Sequence, residues 1–232
     1  MYEDLTYETS GHVGVITIRH FGNDALQRFA AALDDLMKKG AKAIVIDVRG
    51  NEGMRDPKSP VPVSLSMLSR LLPAGSGKVV VGFAVMRDRN RFDAIQSKEI
   101  VVAPAPGAPA LTTTPAAGGE PVEMPIALLT DAWTGGEAEV FALGFQLAKR
   151  GIVVGGATGG NVTTPLESQN GPSLSRSRLE VSIGVTTVVR PDNGSVQGVG
   201  ITPQFPVEPD PADLKAGKDT VLERAISLLL KK

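Results

Sequence analysis

The chain has 232 residues, of which 42% are hydrophobic and 21% are charged, and its formal net charge is −1. This is ordinary globular composition, and the near-zero charge gives no attraction to nucleic acid or to a membrane surface. The absence of cysteine excludes disulfides, thiolate zinc sites and a cysteine nucleophile. Two histidines are too few for a histidine-rich metal site, so we expect no metal and no cofactor.

The chain shows no targeting segment. No apolar run reaches the roughly 18 residues that span a bilayer. The N-terminal residues "MYEDLTYETSGHVGVITI" are acidic near the start and lack the apolar region of a signal peptide. The compartment stays open: the protein is either cytoplasmic or an exported protein whose leader has been removed.

Apolar patterning predicts alternating strands and helices. The predicted strands are short runs of β-branched and other apolar residues at 12–18, 41–48, 78–85, 125–131, 151–156 and 179–189. The predicted helices carry an apolar stripe at helical spacing and cover 23–40, with Asn23 as N-cap, and 63–72, 137–150 and 219–232. Such alternation predicts one α/β domain over 1–232 with right-handed crossovers and a largely parallel sheet.

Two segments depart from this alternation. Residues 87–124 include "APAPGAPALTTTPAAGGEP", which is too rich in proline and glycine for regular structure. We interpret them as a long exposed insertion. The sequence "PDNG" at 191–194 predicts the turn of an added hairpin.

A pair of glycines marks the predicted start of the helix in "LLTDAWTGGEAEVFALGF", residues 128–145. Thr134 and Glu137 have the T-x-x-E spacing of a capping box, which is the favoured interpretation from spacing alone. The functional alternative uses the same geometry, because a helix N-terminus presents unpaired N–H groups that bind an anion or an oxyanion.

Two further loops follow predicted strands. "IDVRGNEGM" (46–54) leaves the carboxyl end of a strand, where ligands of α/β sheets bind. It is either a binding loop or a plain turn. "VVGGATGGNV" (153–162) is glycine-rich but lacks the ending of a P-loop and the spacing of a dinucleotide motif.

Taken together, these segments resemble the tail-specific, or C-terminal processing, peptidases of family S41. "AIVIDVRGNEGM" is similar to the family's D-L-R-x-N-x-G-G segment, and "TGGEAE" to its T-x-S-x-x-E segment. "GIVVGGATGGN" is similar to V-G-E-x-T-x-G-K, and "GITPQFPV" to the closing G-I-x-P-D-x-x-V. The resemblance implies the α/β core of the ClpP and crotonase superfamily. Members of the family generally carry an N-terminal cap, and many have a PDZ module; we expect neither within these 232 residues.

The resemblance also assigns the catalytic positions. The family's nucleophilic serine lies three residues before the glutamate that matches Glu139, and this chain has Gly136 there. In members with a serine–lysine dyad the lysine falls at Asn161, whereas other branches use a serine–histidine arrangement. A glycine has no side chain to attack a carbonyl.

The substrate-binding positions follow from the same segments. The backbone amides near Gly53, Met54 and Glu137 are the candidate donors to a carbonyl or carboxylate oxygen. Met54 stands where the family has glycine, which narrows the predicted cleft.

Three functions remain open. The first is an S41-type serine endopeptidase core that is inactive or strongly impaired because of Gly136. The second is a non-catalytic relative that binds a peptide or a small apolar ligand. The third is a structural role. The expected partner is a peptide or an unfolded protein, and the sequence leaves the oligomeric state open. Family members often act in the cell envelope.

Overall fold

The computed structural model describes residues 4–22, 24–53, 63–73, 79–85, 111–113, 122–162, 164–165, 184–190 and 194–231. Four predictions fall outside them: the N-cap at Asn23, the candidate donor at Met54, the turn residues 191–193 and most of the 87–124 insertion. The strands are β1 Leu5–Ser10, β2 Val13–Ile18, β3 Ala43–Asp47, β4 Val79–Val85, β5 Leu111–Thr113, β6 Ile126–Thr130, β7 Ile152–Gly155, β8 Thr164–Pro165, β9 Gly184–Val189 and β10 Phe205–Pro206. The helices are α1 Ala25–Lys38, α2 Val63–Leu71, α3 Gly136–Leu147, α4 Pro211–Lys215 and α5 Thr220–Leu230.

A six-stranded sheet with the order β1-β2-β3-β6-β7-β10 forms the centre of the fold. β1 is antiparallel to β2, and every other neighbouring pair is parallel. The predicted α/β class with a largely parallel sheet is therefore confirmed. The carboxyl ends of β2, β3, β6 and β7 meet at one edge, which brings the loops that follow them together.

Helices cover both faces of this sheet, so its strands are buried on both sides, as parallel strands usually are. Because side chains alternate along a strand, Ile44 and Ile46 join the apolar cluster of α1, α2 and α3, while Ala43 and Val45 join that of α5. In the described part of the chain, no helix combines the length and apolar character needed to cross a bilayer.

A second sheet corrects one expectation. Residues 78–85 are predicted as a strand of the parallel alternation, and β4 does form there, but in an antiparallel sheet with the order β5-β4-β9-β8. An apolar run identifies a strand and not its partner, and β4 pairs with β9, about a hundred residues further along. Beside the predicted 191–194 turn, the Arg190 N–H donates to the Gly194 carbonyl.

The sequence interpretation missed the first strand. β1 and β2 form a hairpin in which Ser10 is opposite Val13, so the connection is the two residues Gly11 and His12. Gly11 has φ of 60°, the left-handed conformation that tight hairpin turns need. A glycine between two β-rich runs was the available signal. The short elements β5, β8, β10 and α4 had no such signal.

Candidate active site

The loop after β3 is held in place by a buried asparagine. The side-chain amide of Asn51 donates to the carbonyl of Ile18 at 3.1 Å, and its Oδ1 accepts from the Gly53 N–H at 2.9 Å. Asn51 is fully buried, so this side chain fixes the loop to the end of β2. Asn51 was not among the predicted site residues, although it stands at the asparagine of the D-L-R-x-N-x-G-G segment that this loop resembles.

Helix α3 begins at Gly136, as predicted, but its cap differs from the prediction. The N-cap residue is Gly135, and no side chain caps it. The Thr134 hydroxyl instead accepts from the Asp131 N–H and lies 3.1 Å from the Val48 carbonyl, while the Glu137 carboxylate accepts from the Ser64 N–H. The predicted capping box is therefore wrong. T-x-x-E spacing permits a capping box, but here tertiary partners take both side chains.

Gly53 and Gly136 lie against each other so closely that neither position has room for a side chain. A Cβ on Gly53 would lie 2.0 Å from the carbonyl oxygen of Gly135, and one on Gly136 would lie 2.7 Å from the carbonyl oxygen of Gly53. Both residues also have positive φ, 68° and 49°, which is costly for any other residue. Gly136 therefore lies directly against the described part of the 49–54 loop.

The two candidate oxyanion donors that the structure describes are both used internally. The Glu137 N–H donates to the Gly53 carbonyl at 3.1 Å. The Gly53 N–H donates to Asn51 Oδ1. The third candidate, Met54, lies outside the described residues. In this conformation, then, neither amide is left to bind a substrate oxygen.

The other N–H groups at the start of α3 also have intramolecular hydrogen-bond partners. The Gly135 N–H donates to the carbonyl of Asn51, and the Gly136 N–H donates to the carbonyl of Asn161, each at 2.9 Å. The Ala138 N–H donates to the carbonyl of Gly135. A helix N-terminus binds anions through its unpaired N–H groups, and these three have intramolecular partners.

Glu139, at the family's motif glutamate, is fully buried and organises the loop after β7. One carboxylate oxygen accepts from the Thr158 hydroxyl and from the Gly160 N–H at 2.8 Å, and the other accepts from the Asn161 N–H at 2.7 Å. The Thr158 hydroxyl oxygen in turn accepts from the Ile201 N–H. This geometry makes Glu139 a positioning residue for the 158–161 loop.

The structure brings together Gly136 and Asn161, the positions that the resemblance assigns to the nucleophile and the base. The backbone of Asn161 contacts both Gly136 and Glu139, and the residue is exposed. The nearby hydroxyls of Ser64, Thr134 and Thr158 are buried. None of these residues supplies an accessible nucleophile beside a base.

Asp131, which sequence analysis did not single out, ties two loops together. Its Oδ1 accepts from the Gly50 N–H and the Trp133 N–H, each at 3.0 Å, and lies 3.0 Å from the Thr134 hydroxyl. Its place directly after an apolar strand was the available signal. Among the described residues, no group of three or more histidine, aspartate or glutamate side chains is arranged to hold a metal ion.

An ionic network lies next to these loops. Arg49 donates to both oxygens of Asp47 and to both oxygens of Asp219, the N-cap of α5. Burial alone lowers the pKa of Arg49, but these hydrogen bonds raise it above its ordinary value. Burial alone raises the pKa of Asp219, but hydrogen bonds from Arg49 and the Leu222 N–H bring it below its ordinary value.

Solved structures with this fold include several peptidases. A photosystem II D1 C-terminal processing protease superposes with a TM-score of 0.63 at 19% identity, over 93% of this chain and 51% of its own. A candidate peptidase from Parabacteroides merdae gives 0.72 at 20% identity, over 100% and 66%. Mature CPAF complexed with lactacystin gives 0.65 at 14% identity, over 97% and 53%. The chain thus spans about half to two thirds of the length of these proteins.

Sequence comparison gives the family. No curated protein sequence matches the chain. The sequence profile of peptidase family S41 matches residues 12–207, which include the 49–54 loop, the start of α3 and the 158–161 loop. The chain therefore belongs to peptidase family S41.

Proposed function

We propose that this chain is a serine-type endopeptidase core of family S41 that does not hydrolyse peptides, because residue 136 is a glycine. The proposal rests on two features of the start of α3. Gly136 stands at the nucleophile position, and the neighbouring Glu137 N–H is bonded to the Gly53 carbonyl. Covalent hydrolysis needs both an attacking group and donors to the developing oxyanion, and the described residues offer neither.

The substitution at Asn161 supports the same proposal. An asparagine amide does not take up a proton near neutral pH, so it is not a general base. The exposed position of Asn161 beside Gly136 is what a base for that nucleophile would require. Because the chain belongs to peptidase family S41, we propose peptides as the substrate class of this site.

Binding without catalysis is the second candidate. It is favoured by a pocket of about 690 Å³ at the carboxyl edge of the six-stranded sheet, and Gly136 is not among the residues that line it. Ligand pockets have volumes of about 300–1,000 Å³, so this one is large enough to hold a ligand. Its occupant is considered in the next subsection.

The test compares the wild-type chain with Gly136→Ser, using a fluorophosphonate label and a mixed fluorogenic peptide library. We expect no labelling and no cleavage by the wild type. We expect Gly136→Ser to unfold more easily by about 1–2 kcal/mol because of its positive φ, and to stay unlabelled because its Cβ would meet the Gly53 carbonyl.

Gly135→Ser is the matched control, since residue 135 has an ordinary φ of −135° and should tolerate a side chain better. An active serine hydrolase serves as the positive control for labelling. Labelling of Gly136→Ser alone would contradict the closed conformation and would mean that the rest of the site is complete. Cleavage by the wild type would overturn the proposal.

A further inference from the structure

The 690 Å³ pocket lies on the side of the sheet edge that faces α5. It is lined by residues that follow five different strands, among them Arg19 after β2, Gly156 after β7 and Glu208 after β10, and by Val221 of α5. Ligands of α/β proteins bind outside the carboxyl ends of the strands. The location therefore suits a binding site separate from the start of α3.

The pocket also has apolar lining residues, among them an exposed aromatic side chain that follows β6, the central strand of the order β2-β3-β6-β7-β10. Trp133 is 70% exposed, and Ala157, Val207 and Pro209 line the pocket with it. An exposed tryptophan does not gain the stabilisation that comes from burying its large apolar area. Exposed apolar surface of this kind commonly marks a binding site. Trp133 is also the single tryptophan of the chain.

A positively charged side chain lies at the β2 end of the pocket. Arg49 is committed to Asp47 and Asp219 through four hydrogen bonds from its side chain. Arg19 is less committed. Its side chain is 42% exposed, it donates to the Arg49 carbonyl, and its Nη2 forms a longer ion pair of 3.6 Å with Asp47 Oδ2. The remaining N–H groups of Arg19 are available to an anionic group.

A negatively charged side chain lies at the β10 end of the pocket. Glu208 lines the pocket there and is exposed. The other carboxylate in the lining, Asp131, already accepts at Oδ1 from the Gly50 and Trp133 N–H groups. The pocket therefore has a cationic end at Arg19, an apolar middle at Trp133 and an anionic end at Glu208.

The distance between the two ends fits a short extended peptide. β2 and β10 are separated by four strand spacings in the order β2-β3-β6-β7-β10. At about 4.8 Å for each spacing the ends are roughly 19 Å apart, which is the length of about six extended residues. We propose that this pocket binds an extended peptide segment with an acidic group over Arg19, apolar residues against Trp133 and a basic group over Glu208.

Titration of Trp133 fluorescence tests the proposal with the full chain. The probe is the capped hexapeptide acetyl-Glu-Ala-Leu-Leu-Ala-Lys-amide. The controls carry glutamate, lysine or glutamine at both ends. We expect a saturable change with the mixed-charge peptide, and affinity at least tenfold higher than for any control peptide. Hydrolysis plays no part in this readout, so cleavage by the wild type would overturn the proposed function and leave this inference untouched.

Substitutions locate the binding site. Arg19→Gln and Glu208→Gln should each weaken binding of the mixed-charge peptide at least fivefold. Lys42→Gln removes an exposed cation directly before β3, at the opposite edge of the sheet, and should leave the affinity unchanged. Three results would overturn the proposal: no saturable change, equal binding of the glutamine-ended peptide, or full affinity in both pocket variants. If Trp133 fluorescence instead changed with protein concentration alone, the pocket would bind a second copy of the chain, and this result would also overturn the proposal.

Discussion

Replacing Glu139 with alanine should lower the free energy of unfolding by about 3–5 kcal/mol, because each buried donor left without an acceptor costs about 1–3 kcal/mol. The change strands the Thr158 hydroxyl and the N–H groups of Gly160 and Asn161. Glu139 is fully buried, so water does not easily replace the carboxylate. The measurement is urea unfolding followed by circular dichroism.

Glu139→Gln is the matched control. It keeps the volume and one oxygen acceptor but turns an amide N–H₂ toward a donor, so its cost should fall between those of wild type and alanine. We also expect the alanine variant to lose amide-exchange protection at Gly136, because that N–H is bonded to the carbonyl of Asn161. A loss below about 1 kcal/mol for alanine would mean that the 158–161 loop has other support.

Replacing Arg49 with methionine should cost a similar amount, about 3–5 kcal/mol, since it removes one partner of a largely buried ionic network. Asp47 is buried and would lose the Arg49 guanidinium, which leaves it the ion pair with Arg19 at 3.6 Å and the backbone N–H of residue 49. Asp219 would keep only its backbone hydrogen bonds at the start of α5, from the N–H groups of Leu222 and Val221. Urea unfolding of the variant measures the loss, and Lys42→Met, which removes an exposed cation before β3, should leave the unfolding midpoint unchanged.

The same substitution should change the pH dependence of stability. The folded-state pKa of Asp219 lies below its ordinary value of 3.8. Ionised Asp219 therefore stabilises the fold above pH 4, and this contribution is lost as the pH falls through the folded-state pKa. Because Arg49 contributes to that shift, Arg49→Met should lose less stability than the wild type between pH 5 and pH 3. Parallel curves would mean that Asp219 does not depend on Arg49.

The fold was largely predictable, because runs such as 41–48 and 125–131 are apolar at consecutive positions and so have to be buried on both faces. Strand partners were less predictable. β4 has the composition of a parallel core strand and yet pairs antiparallel with β9. The pattern along one strand records burial and leaves the identity of the neighbour open.

Which segments form the candidate site was predictable, but the hydrogen bonds between them were not. The resemblance assigned Gly136 and the 49–54 loop to one site, and the structure places Gly136 against Gly53. The closure of the site could not be predicted, because it depends on backbone bonds between loops about 85 residues apart, such as that from the Glu137 N–H to the Gly53 carbonyl. Backbone groups are the same in every residue, so no sequence motif records which of them pair.

The closed helix start is best tested by nuclear magnetic resonance on deuterated, ¹⁵N- and ¹³C-labelled protein. A through-hydrogen-bond coupling experiment detects whether the amide nitrogen of Glu137 is coupled to the carbonyl carbon of Gly53. We predict a resolved coupling that persists when a peptide boronic acid is added. The absence of that coupling, together with a shift of the Glu137 amide on adding the boronic acid, would contradict the closed state and show that the donor is available to a ligand.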